Sequence, residues 1–160
     1  MVGNKDSDFR TVRGYQLADR QKGRLTPALE DYLEMACRLC RQEGYTRVGE
    51  ISRLLNVRPS SASKMITKLA GLGYLKCDRY EIIQLTENGR EIGEYLLKRH
   101  DIVEEFLKLI GSSKPLMETE LIEHALSPST VSCLEILLDF FQSETATLKK
   151  YHDYKKQKMP

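Results

Sequence analysis

The chain has 160 residues, 41% of them hydrophobic and 30% charged, with four cysteines and no tryptophan. That length suits one domain or two small ones, and the cysteines fit no secreted disulfide framework. No apolar run reaches the ~18 residues that a membrane span needs, and the polar N-terminus lacks the apolar stretch of a secretory signal, so the expected location is the cytoplasm with no membrane partner.

A net charge of +2 conceals a split. From Ile51 to Cys77 there is no Asp or Glu, while Arg53, Arg58, Lys64, Lys68 and Lys76 contribute five positive charges. Between Asp101 and Phe141 the balance reverses, with Asp101, Glu104, Glu105, Glu118, Glu120, Glu123, Glu135 and Asp139 against Lys108 and Lys114. One half suits phosphates and the other suits cations.

In chain order, residues 1–24 are polar and basic without sustained periodicity, which predicts a mobile basic extension. Thr26 followed by Pro27 is a helix-start signal, and helical spacing runs from there to Gly44. On that helix Leu29, Leu33, Ala36, Cys37 and Cys40 share a stripe, so the Cys37-x-x-Cys40 pair reads as small core residues; no second pair or nearby His completes a zinc site. Val48, Ile51, Leu54 and Leu55 mark a short helix, Asn56 and Val57 a turn, and Pro59 the start of a third helix ending near Gly71 and Gly73, which together predict a helix-turn-helix.

The third helix separates into two faces. Ala62, Met65, Ile66, Leu69 and Leu72 fall on one side, while Ser60, Ser63, Lys64, Thr67 and Lys68 fall on the other. Hydroxyls that can approach base edges, with lysines that displace counterions and no acid among them, are what a DNA recognition helix requires. The candidate DNA contacts are Arg58, Ser60, Ser61, Ser63, Lys64, Thr67, Lys68 and Lys76. Tyr74–Cys77 and Ile82–Leu85 then read as strands around a polar turn, and a hairpin at that place is a wing.

Thr86 caps a long helix running through His100 to Ile110, followed by a loop over 111–115. A short helix is expected over Met117–Ala125. Ser127 with Pro128 starts another, whose apolar content (Val131, Leu134, Ile136, Leu137, Leu138, Phe140, Phe141) predicts a packing surface between subunits. On the short helix Glu120, Glu123 and His124 stand at i, i+3 and i+4 and share one face. With Asp31 and Glu34 on the first helix and His100 on the long one, they make six oxygen and imidazole donors suited to one or two hard divalent ions.

Three segments carry a resemblance: Leu25-Thr-Pro-Ala-Leu-Glu-Asp-Tyr-Leu-Glu34, Arg58-Pro-Ser-Ser-Ala-Ser-Lys-Met-Ile-Thr-Lys-Leu69, and Leu85-Thr-Glu-Asn-Gly-Arg-Glu-Ile-Gly93 with Lys98-Arg-His100. Over roughly residues 25–141 the chain closely resembles the DtxR/MntR family of metal-dependent repressors, and within it the short manganese-responsive members. The resemblance implies a mainly α fold, with a winged helix-turn-helix domain over 25–90 and a helical metal-binding and dimerisation domain over 91–142; beyond it, the lysine-rich residues 143–160 are expected to be a basic tail, either a frayed helix or without structure. It implies a binuclear site on Asp31, Glu34, His100, Glu120, Glu123 and His124, with Glu120 and Glu123 serving both ions. The expected ligand is Mn²⁺, two per subunit, since oxygen and imidazole donors without thiolate favour it; Fe²⁺, Co²⁺, Zn²⁺ and Cd²⁺ are substitutes, and by affinity alone several bind as tightly. The expected partners are a second copy of the chain and a palindromic operator in double-stranded DNA, at genes of metal uptake.

Two other readings remain. A di-metal carboxylate enzyme would show paired Glu-x-x-His motifs, which are missing, so no enzyme activity is expected. A winged-helix protein indifferent to metal would have no need of six donors.

Overall fold

The computed structural model describes residues 25–80 and 82–159; the basic extension expected over 1–24 lies outside them. The chain divides into two compact units, residues 1–90 and 91–160. No described helix is long and apolar enough to cross a membrane.

In the first unit, α1 (Pro27–Glu43) starts where Thr26 accepts a hydrogen bond from the Leu29 amide, with Pro27 in the first turn. A two-residue strand β1 (Thr46–Arg47) leads into α2 (Val48–Leu54). The chain then reverses at Asn56, which takes a left-handed backbone at φ 53°, a conformation Asn tolerates better than most residues. The Val57 amide meanwhile satisfies the Ser52 carbonyl at 2.9 Å. Arg58 is held extended by the proline after it, and α3 (Pro59–Gly71) begins there.

α1 and α2 pack on α3, so Leu29, Leu33, Ala36, Cys37 and Cys40 meet Ile51, Ala62, Ile66 and Leu69 in one core, all of them buried. The Cys37/Cys40 pair is thus core packing. Burial pushes the Cys40 thiol's pKa up, its Sγ lying 3.7 Å from the Ile83 carbonyl, which keeps it protonated and inert. Leu72, expected on the core face, follows the last turn of α3 and is half exposed.

The hairpin of β2 (Leu75–Cys77) and β3 (Ile82–Leu85) is extended by β1 into an antiparallel sheet of order β1-β3-β2, with Leu75 opposite Leu85 and Thr46 opposite Ile83. At the hairpin turn the Asp78 carboxylate accepts from the amides of Tyr80 and Ile82 at 2.8 and 2.9 Å, fixing the wing tip. Thr86 ties the wing's end to the next helix: its hydroxyl donates to the Gly73 carbonyl and accepts from the Gly89 amide. Gly89 must be glycine, because a Cβ there would stand 1.8 Å from the Tyr74 carbonyl oxygen.

Helix α4 (Glu87–Ile110) starts in the first unit and carries the chain into the second. It ends at Gly111 (φ 79°), with the Ser112 amide on the Leu107 carbonyl and the Gly111 amide on Lys108, a Schellman closure. α5 (Pro115–Ile122) passes into a 3₁₀ turn (Glu123–Ala125). α6 (Pro128–Ser143) is capped by Ser127, and α7 (Thr145–Lys158) packs on α6. Leu96, Leu97, Ile102, Val103, Leu107 and Val131 are buried in this unit.

Candidate metal centre and DNA-binding face

On α3 every candidate DNA contact from Arg58 to Lys68 is exposed, as is Lys76 on β2, while Ala62, Ile66 and Leu69 are buried beneath them. The Thr67 hydroxyl donates back to the Ser63 carbonyl at 2.9 Å, leaving its oxygen as an acceptor. Ser60, Ser61, Ser63, Lys64 and Lys68 make up a face of donors and cations, with no acidic side chain on the helix to compete for them.

The six candidate metal ligands lie on both units. α1 presents Asp31 and Glu34, both half-buried, and Glu34 accepts from Arg38 Nη2 at 3.0 Å one turn along. In the second unit, His100 on α4 is 6% exposed and Glu123 on the 3₁₀ turn 1% exposed, and His100 Nδ1 lies 3.1 Å from Glu123 Oε1. A carboxylate can only accept, so His100 carries a proton on Nδ1 and donates it to Glu123. Glu120, whose side chain is 56% exposed, brings Oε1 to 3.7 Å from the same nitrogen.

The donor geometry differs from one uninterrupted helical face. The helix stops at Ile122, the next three residues tighten into a 3₁₀ turn, and Leu126 and Ser127 are extended ahead of Pro128. Glu123 is therefore turned inward while Glu120 stays at the surface. Leu121 and Ile122 also face outward, Leu121 at 72% exposure.

His124 faces a residue that periodicity did not single out. Its Nδ1 lies 3.1 Å from Arg99 Nη2, and Arg99 Nε lies 3.5 Å from Glu123 Oε2. Arg99 is only 3% exposed. The signal was present: Arg99 stands three after Leu96 and four before Val103, so it occupies the buried stripe of α4, where an arginine is out of place without an anionic partner.

The second unit's residues fit a hard divalent cation. Glu123 Oε2 is buried and accepts no hydrogen bond, and Arg99 Nε beside it, at 3.5 Å, pairs with it by charge alone. The His100 imidazole and the surface Glu120 carboxylate stand beside it, all hard or borderline donors.

A winged helix-turn-helix joined by a long helix to a helical unit with a carboxylate and imidazole cluster defines a metal-dependent DNA-binding regulator. Two family models match: "Iron dependent repressor, N-terminal DNA binding domain" over residues 24–82 and "Iron dependent repressor, metal binding and dimerisation domain" over 86–150. The chain is 39% identical over 134 residues to the HTH-type transcriptional regulator MntR of Geobacillus kaustophilus (strain HTA426), covering 82% of this chain and 95% of that protein. To the MntR of Bacillus subtilis (strain 168) it is 37% identical, covering 82% and 94%. Among solved structures it is similar to the manganese regulator SloR (TM-score 0.63, 25% identity, 72% of this chain and 55% of that one) and to ScaR with bound Zn²⁺ (TM-score 0.58, 30% identity, 70% and 54%). The chain thus spans about half the length of those two structures and nearly all of the MntR relatives. The protein belongs to the DtxR/MntR family of metal-dependent transcriptional repressors, DNA-binding regulators rather than enzymes.

Proposed function

We propose that the protein is a manganese-responsive repressor of metal-uptake genes, acting in the cytoplasm as a homodimer on a palindromic operator. In this reading residues 25–90 bind DNA and residues 91–142 bind metal and dimerise. The observation that carries it is the buried Glu123 carboxylate, held by His100 and left with one oxygen that accepts no hydrogen bond.

Asp31, Glu34, His100, Glu120, Glu123 and His124 hold two ions per subunit. Asp31 and Glu34 belong to the unit that carries α3, and the other four belong to the second unit. Bound Mn²⁺ would supply the positive charge that offsets the repulsion among these carboxylates. The chain's own residues do the rest. Glu123 orients the His100 ring by accepting from Nδ1, and Glu120 stands 3.7 Å from the same nitrogen. Coupling of α1 to the second unit restricts where the recognition helix of each subunit can stand, which selects spacings that match successive major grooves. Lys64 and Lys68 neutralise phosphates, while Ser60, Ser61, Ser63 and Thr67 approach bases or backbone, flanked by Arg58 and Lys76.

The absence of sulfur among the six donors supports manganese, and Fe²⁺, Co²⁺, Zn²⁺ or Cd²⁺ fill the same donors in vitro. The exposed Leu121, Ile136 and Phe140 supply the apolar surface a second copy would cover. The reading is tested by counting Mn²⁺ bound to the full chain by electron paramagnetic resonance. Two ions per subunit in the wild type and at most one in Glu123→Ala support it; no measurable Mn²⁺ binding by the wild type refutes it.

A further inference from the structure

The cluster in the second unit contains its own cation. Arg99 is nearly fully buried, its Nε lies 3.5 Å from Glu123 Oε2, and its Nη2 reaches His124 Nδ1 at 3.1 Å. A guanidinium has donors only and does not lose its proton, so Nη2 donates and Nδ1 accepts. Neutral His124 must then carry its proton on Nε2. Both ring nitrogens are thereby engaged: Nδ1 by Arg99, Nε2 by a hydrogen. His100 differs, since its Nδ1 faces the Glu123 carboxylate and donates to it.

We propose that Arg99 is a resident stand-in cation that neutralises Glu123 and masks His124 in the metal-free protein, so that loading the site is an exchange of cations. The inference rests on the metal-binding reading above and deepens it. His124 becomes a ligand only when the guanidinium releases Nδ1, or when that release lets the proton move from Nε2 to Nδ1. The arrangement serves two needs. A buried carboxylate without a counter-ion would destabilise the metal-free fold, and an arginine answers that cost without leaving a site primed for any cation. It also sets a threshold, since an ion must out-compete a covalently tethered charge, and a tethered charge is present at a fixed high effective concentration.

The test uses the full chain as wild type, Arg99→Met and Arg99→Lys. Removing the charge is expected to lower the melting temperature in chelator and to tighten Mn²⁺ binding by on the order of tenfold, while the melting temperature in saturating Mn²⁺ changes little. Arg99→Lys keeps a cation and should restore the weaker, wild-type-like affinity. A residue that merely shaped the site would show the reverse, with Arg99→Met binding Mn²⁺ more weakly, and that result overturns the proposal while leaving the metal-binding reading intact. If the wild type binds no Mn²⁺, both fail. A measurement independent of folding variants is the His124 tautomer, read from two-bond ¹H–¹⁵N correlations of the wild type at pH 8. The proton is expected on Nε2 in chelator, with a changed Nδ1 shift on adding diamagnetic Cd²⁺; a proton on Nδ1 in chelator contradicts the assignment.

Discussion

The two polar clusters of this chain are built on opposite principles. On α3 the candidate DNA-contacting side chains are exposed and lie above an apolar core, so each can be removed without disturbing the next. In the second unit Arg99, His100 and Glu123 are buried and bonded in sequence, with His124 at the end of the chain of contacts. Exposure therefore decides separability. Charges in high dielectric act nearly alone, whereas groups sharing a dry site depend on one another's presence.

The contrast can be broken most forcefully at the buried cluster. His100→Ala and Glu123→Ala are each expected to abolish the metal-dependent part of operator affinity, a loss of about 5- to 150-fold if the coupling is of ordinary allosteric size. Because the two act as a unit, the double variant should be little worse than either one; additive losses in a binding titration would show that the cluster is not coupled.

The α3 face should behave otherwise. Lys64→Ala and Lys68→Ala are each expected to weaken DNA binding in Mn²⁺ and to reduce the slope of log affinity against log salt by about 0.9, with the effects adding in the double variant. An unchanged slope would remove that lysine from the phosphate contacts. Neither substitution should alter Mn²⁺ binding.

The smallest effect sharpens the comparison by lying outside both clusters. Ser127 caps α6 by accepting from the Thr130 amide at 3.2 Å, so Ser127→Ala should cost about 1 kcal/mol of stability by denaturant titration, with operator affinity at saturating Mn²⁺ unchanged.

The same contrast explains what could be read from the sequence. The α3 face was legible because an exposed polar stripe opposite Ala62, Ile66 and Leu69 is a matter of helical period. The caps at Thr26, Thr86 and Ser127 and the wing hairpin were legible because turn and cap chemistry is local. The two-residue strand β1 was not, since its extended backbone is set by pairing with Ile82 and Ile83 far along the chain. Nor was the inward turn of Glu123 or the grip of Arg99 on His124. Both depend on where α5 stops and on how a long side chain folds back from α4, and periodicity carries neither. The list of candidate donors came from residue types and a family likeness; that His100 faces a carboxylate while His124 faces an arginine came only from the geometry.

The central claim is that occupancy of the acidic cluster governs the DNA-binding face. It is tested most directly by fluorescence anisotropy of a labelled palindromic operator at one fixed salt concentration, titrated with the full-length wild type and with His100→Ala, each in chelator and in Mn²⁺. The account predicts tight binding by the wild type in Mn²⁺ alone, and weak binding by His100→Ala in both conditions. Equal wild-type affinity in chelator and in Mn²⁺ would contradict it.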